Sequence, residues 1–222
     1  MPRLTARRWL IIGTIMAAGL VTFLSVLDGI KEQRDLARLD TPFLLWLLDH
    51  RTPQLTLLMQ TVTHLADPAI LAVLVLVGSG LWMWRKKDTW RPLLLIGAMA
   101  LAFAASSLIK LWVARGRPPA GDMVPPLEID FSFPSGHTIG IAVCLLIIGY
   151  LMYSRRRTLG TFFIWVGITI LGVGLVALSR LYLAYHWVTD VTASVGLALM
   201  VLAIIMAVDM FRPNTRFFRQ KS

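Results

Sequence analysis

Cysteine is nearly missing from this sequence. Cys144 stands alone inside an apolar run, so a disulfide framework is excluded. Histidine is scarce as well. Four histidines scattered over 222 residues, with no Cys/His cluster, give no metal-ligand spacing. The G-x-S-x-G elbow of serine hydrolases is absent. No period of about 20 to 50 residues recurs, which excludes a solenoid. Charge is thin: 15% of residues are charged against 57% hydrophobic, and mean hydropathy is +0.70. Soluble domains carry about 25% charged residues, so the first candidate solvent is the bilayer.

What charge there is leans basic, 22 Lys and Arg against 12 Asp and Glu. These residues fall in short clusters between apolar runs, the pattern of a membrane protein rather than a nucleic-acid binder. Apolar spans are expected at about 9–27, 56–84, 93–113, 137–153, 161–178 and 190–211. The second should bend at Asp67-Pro68, where proline interrupts the helical ladder. A cleaved signal peptide competes for the first span, but the run is long and lacks an A-x-A site, so a retained helix is expected. Residues 28–52 mix charge with Phe43, Leu44, Leu45, Trp46, Leu47 and Leu48 and read as an amphipathic, interfacial segment. The expected fold is therefore an all-α integral membrane protein. One domain over 1–222 would have six transmembrane helices and an amphipathic extracytoplasmic segment between the first and second.

Alternate loops differ in basic content. Arg3, Arg7, Arg8, Arg85, Lys86, Lys87, Arg91, Arg155, Arg156, Arg157, Arg212, Arg216, Arg219 and Lys221 fall on one side. Fewer fall on the other: Lys31, Arg34, Arg38, Arg51, Lys110, Arg115, Arg117 and Arg180. The positive-inside rule then places both termini in the cytoplasm. It also leaves Lys110, Arg117 and Arg180 at helix ends on the outer face, where cations are not expected to collect.

Three polar segments share that face: "KLWVARGRP" (110–118), "PSGH" (134–137) and "SRLYLAYHWVTD" (179–190). Lys110 and Arg117 lie two helical turns apart and share a face if the helix reaches Arg117, near which Gly116 and Pro118 should end it. Taken alone, both would be cations snorkelling to head groups. Pro134 and Ser135 suit the start of the fourth span. A helix start offers unpaired N–H groups to an anion, and Gly136 lets that anion approach. His137 sits where it can donate a proton. His186 and Asp190 are four residues apart, so the carboxylate can hold one ring nitrogen and leave the other free to act as nucleophile or base. Arg180 adds a planar fork suited to phosphate oxygens. Three cations, a helix start and two histidines suit phosphoryl transfer driven by positioning and charge stabilisation.

The three segments resemble the three-part motif of the type 2 phosphatidic acid phosphatase (PAP2) superfamily, with every motif position filled. That resemblance implies a membrane lipid phosphatase acting without metal or other cofactor. His186 would form a phosphohistidine with Asp190 orienting it, and His137 would serve the leaving oxygen and then water. Lys110, Arg117 and Arg180, with Ser135 and the Gly136 amide, would hold the phosphate. Bacterial members of this size include phosphatidylglycerophosphate and undecaprenyl diphosphate phosphatases. The implied setting is the bacterial inner or plasma membrane, with the site extracytoplasmic and a lipid phosphate or diphosphate as substrate. Two other readings compete: a lipid phosphotransferase, which uses the same residues, and a non-enzymatic transporter or binder of anionic lipid, which uses the cations alone and leaves His137 and the His186–Asp190 pair unexplained. His64 and Asp67 could line the lipid entrance.

Overall fold

The computed structural model describes residues 2–156 and 158–211. The cations expected at Arg157, Arg212, Arg216, Arg219 and Lys221 lie outside the described residues. Among the described residues there are eight α-helices and two short 3-10 turns. They are α1 (Pro2–Glu32), α2 (Asp40–Asp49), α3 (Pro53–Leu65), α4 (Pro68–Lys86), α5 (Trp90–Val113), α6 (Gly136–Arg156), α7 (Leu159–Tyr182) and α8 (Val188–Met210). Six of them are long and apolar enough to cross a membrane: α1, α4, α5, α6, α7 and α8.

The expected second span, 56–84, is two helices rather than one bent helix. Asp67 adopts extended backbone and caps α4, accepting from the Ala69 and Ile70 amides at 2.8 and 3.3 Å, with Pro68 following as the first helical residue. Proline brings no N–H to continue α3, and the Asp67 carboxylate satisfies the donors of α4, so the break is complete. The 13-residue α3 is too short to span and packs against α7 instead. With α2, it extends the amphipathic stretch after α1. There Leu44 and Leu47 face inward, while Leu45 and Trp46 stay exposed.

At the centre of the bundle stands α8, with 56% of its apolar window buried; α7 lies at the edge with 6%. Backbones of α1 and α8 touch where they cross. A Cβ on Gly19 would stand 2.6 Å from the Gly196 carbonyl oxygen, and one on Gly196 would stand 2.9 Å from that of Gly19. This is small-residue packing, which lets membrane helices approach closely. Small side chains continue inward with Ala98, Ala102, Ala142 and Ala198, around Phe133, Val143 and Ile147. The C-terminal ends of α5 and α7 and the N-terminal ends of α6 and α8 therefore meet at one end of the bundle, where the three polar segments lie.

Candidate active site

Helix α5 stops at Val113, short of Arg117, and Ala114 takes the left-handed conformation (φ 48°) that ends it. Lys110 and Arg117 therefore share no helix face. They converge because a carboxylate bridges them: Asp130 ion-pairs with both. Lys110 Nζ also donates to the Phe131 carbonyl (2.8 Å). Arg117 donates through Nε to the Asp130 carbonyl (2.8 Å) and through Nη1 to that of Tyr185 (2.5 Å).

Glu128 links the next pair, reaching Arg117 Nη2 at 2.7 Å with one oxygen and Arg180 with the other. Arg180 is 1% exposed at the end of α7. It lies over the Tyr185 ring (4.4 Å) and donates to Thr63 Oγ1 of α3 at 2.8 Å. Its Nε is buried with no hydrogen-bond partner among the described residues. The three cations expected at this end thus stand together, each already holding a carboxylate.

His186 is not on α8. It ends a tight turn after α7, in which Ala184 has φ 58° and the Tyr185 amide donates to the Arg180 carbonyl (3.0 Å). Its Nδ1 still faces Asp190 Oδ2 at 3.3 Å, since Asp190 belongs to the first turn of α8. Because the carboxylate accepts the Nδ1 hydrogen, Nε2 keeps its lone pair and points to Arg117 Nη1, 3.3 Å away. Burial, then the charges of Arg180 and Arg117, push the His186 pKa well below the ordinary histidine value. The imidazole is neutral at pH 7.

Ser135 caps α6 as expected: its Oγ accepts from the Thr138 amide (3.4 Å) and hydroxyl (3.0 Å). It is fully buried, and its own amide donates to Ser194 Oγ of α8 at 2.9 Å. Ser194 in turn donates to the Asp190 carbonyl (2.8 Å), pinning the start of α6 to the first turn of α8, which bears Asp190. A Cβ on Gly136 would find its nearest neighbour, Pro68 Cγ, only at 4.0 Å, so space remains over this helix start. His137 Nε2 faces Asp67 Oδ2 at 3.9 Å. His64 is exposed.

Five residues at this end were not singled out by the sequence. Arg115 donates to Asp190 Oδ1 (2.5 Å) and Asp40 Oδ2 (2.7 Å), while Thr189 donates to Asp40 through its amide (3.0 Å) and hydroxyl (2.7 Å). Asp190 is thus fixed from the side opposite His186, by a residue 75 positions away. Asp40 had only a weak signal, an acid at the head of an apolar run. Glu128 and Asp130 lie in a Pro-rich loop without helical spacing. Burial raises the Glu128 pKa, but the Arg180 and Arg117 charges outweigh it and the net shift is downward. Burial acts the same way on Asp130, and hydrogen bonds from Lys110 and Arg117 prevail, leaving it at about 2. Among the described residues no group of three or more His, Cys, Asp or Glu is placed to hold a metal ion.

Six helices long and apolar enough to cross a membrane thus carry a cluster of cations and carboxylates at one end, the architecture of a polytopic membrane protein. Residues 91–213 match the family model described as the PAP2 superfamily. Phosphatidylglycerophosphatase B of Bacillus subtilis (strain 168) is 32% identical over 174 residues, spanning 77% of this chain and 82% of that relative. A crystal structure of the first transmembrane PAP2 type phosphatidylglycerolphosphate phosphatase from Bacillus subtilis superposes with a TM-score of 0.76 at 27% identity. It covers 90% of this chain and 99% of that one. The chain belongs to the PAP2 superfamily and is a membrane phosphatase.

Proposed function

We propose that this phosphatase hydrolyses a lipid phosphate, phosphatidylglycerophosphate being the first candidate, through a phosphohistidine on His186. One observation carries the reading: the buried His186 is backed by Asp190 on Nδ1 and presents Nε2 to the Lys110, Arg117 and Arg180 cluster. A neutral imidazole with a free lone pair among cations is a nucleophile aimed at a phosphoryl group. The unpartnered Nε–H of Arg180 supplies a donor for a phosphate oxygen.

In the first step Nε2 bonds to phosphorus, the bond from phosphorus to the lipid oxygen breaks, and His137 gives its proton to that oxygen. In the second, His137 takes a proton from water. The water oxygen bonds to phosphorus and the Nε2–phosphorus bond breaks, freeing phosphate and neutral His186. Asp190 keeps the ring oriented and stabilises the positive charge that develops on it. Asp67 faces His137 and suits its protonated form. Lys110, Arg117, Arg180, the Ser135 hydroxyl and the Gly136 amide hold the oxygens.

Substrate phosphate has rivals here. Glu128 and Asp130 occupy the same guanidinium and ammonium donors, and Arg117 covers Nε2. An incoming phosphate replaces the two carboxylates and draws Arg117 off the nucleophile, so the exchange both admits substrate and uncovers His186. Loop charge places this end outside the cytoplasm of a bacterial cell, with both termini inside. The deciding assay is phosphate release by the purified chain from phosphatidylglycerophosphate, phosphatidic acid and undecaprenyl diphosphate side by side, with and without EDTA. Release from at least one lipid, unchanged by chelator, is expected. Release from none, or loss with EDTA, contradicts the reading.

A further inference from the structure

A cavity of about 850 Å³ opens at the end of the bundle opposite the histidines, between α1 and α7, with α6 and α8 behind it. Nothing in the phosphatase mechanism uses it. Its size falls within the range of sites that enclose small organic ligands. One wall runs from Arg7 and Arg8 two helical turns inward to Ile15, so cations lie toward the helix end and apolar residues toward the middle of the bundle. Leu146 of α6 and Leu202 of α8 continue the apolar lining.

The charge at this end is unbalanced. Arg7, Arg8 and Arg91 all line the cavity. Among the described residues, Arg7 and Arg8 have no carboxylate within ion-pair distance, and Arg91 has Asp88 at 3.7 Å. The one lining acid, Asp209, is already engaged by Trp90 Nε1 and the Tyr150 hydroxyl, both at 2.7 Å. One terminal nitrogen of Arg91 is buried without a hydrogen-bond partner among the described residues. An occupant must therefore be amphiphilic: apolar for the inner wall, anionic at the arginines. Basic pockets between membrane helices take acidic lipid head groups, and guanidinium forks match phosphate oxygens. Residues 212–222 carry Arg212, Arg216, Arg219 and Lys221 and no Asp or Glu, so their side chains bring no anion to these arginines.

We infer that this cavity is a binding site for an anionic bilayer phospholipid, separate from the phosphatase site and at the opposite membrane face. Its head group sits on Arg7, Arg8 and Arg91, and an acyl chain lies against α6 and α8. The inference does not depend on which histidine acts in hydrolysis.

The full chain, reconstituted in vesicles of equal phosphatidylglycerol and phosphatidylcholine and released for native mass spectrometry, tests it. Phosphatidylglycerol should be retained over phosphatidylcholine, with each cavity arginine worth about fivefold. R7Q/R8Q should then lose about 25-fold of that preference while phosphate release from a short-chain phosphatidic acid stays unchanged. Thr169→Phe, which fills the cavity wall, should lower total retention. Arg180→Ala, which disables the opposite cluster, should leave retention intact. Should a variant fail to fold, wild type alone decides: its melting temperature must rise more with phosphatidylglycerol than with phosphatidylcholine. Equal retention of the two lipids by wild type overturns the inference, as does loss of retention in Arg180→Ala. A dimer that dissociates in R7Q/R8Q would assign the face to a second copy and overturn it too.

Discussion

His186 is 3% exposed, faces a carboxylate on one ring nitrogen and a guanidinium on the other, and stays neutral at neutral pH. A sign follows for pH. Its folded pKa lies below the unfolded value of about 6.5, so below that pH the unfolded chain takes up a proton that the folded one refuses. That term lowers stability as pH falls, and a His186→Gln variant should show a shallower decline in melting temperature between about pH 7 and pH 5. An identical slope in both proteins contradicts the assignment. Arg115 acts one step back, as a positioning residue. Removing it strands the buried Asp190 and Asp40 carboxylates, a loss of about 3–5 kcal/mol for a broken buried pair. Arg115→Ala should melt far lower, and Arg115→Lys should regain stability with kcat reduced and KM little changed. A kcat equal to wild type in the lysine variant would restrict Arg115 to folding. Neither Arg115 nor Asp40 stands out in the sequence, because their partnership spans 75 residues and neither sits in a helical repeat. The His186–Asp190 pair was legible for the opposite reason: four residues of chain suffice to join them.

At the scale of elements, the loop between α5 and α6 matters most. It carries Glu128 and Asp130 onto the cations proposed to hold the substrate phosphate. Asp130, at about 2, lies below its unfolded value of about 3.9. Its contribution is present above about pH 4 and is lost only as pH falls toward 2. Mild acid therefore does not free the site. Substitution does: E128Q/D130N should lower KM and tighten inhibition by inorganic phosphate by about tenfold, the scale of a hydrogen bond to a charged group. An unchanged or higher KM contradicts the exchange of carboxylate for phosphate. Sequence could not show this loop's role, since its residues follow no period and its destination depends on tertiary packing. The split of 56–84 into α3 and α4 was half visible: Asp67-Pro68 marked the break, but hydropathy ran on through it. The crossing of α1 and α8 was hidden too, because a glycine in an apolar run has no distinctive pattern. Gly196→Leu forces apart two backbones in contact and should cost about 1–3 kcal/mol, read as a lower melting temperature in detergent.

For the whole molecule, six spans were legible because long apolar runs leave little alternative, and the bundle has them. The meeting of three polar segments was legible from counting helices: no crossing separates the first from the second and two separate the second from the third, and an even number returns the chain to one face. The proposed orientation rests on the loop cations: a reporter within 119–130 should lie outside the cytoplasm while one after Ser222 lies inside. The reverse pattern overturns the orientation without touching the chemistry. That chemistry has its own direct test. The purified chain is mixed with lipid carrying labelled phosphate, quenched in alkali on the millisecond scale, and the labelled peptide is mapped. Label on His186 in wild type, and none in His186→Ala, is the expected result. A protein that releases phosphate with no labelled residue, or with label on another side chain, contradicts the account.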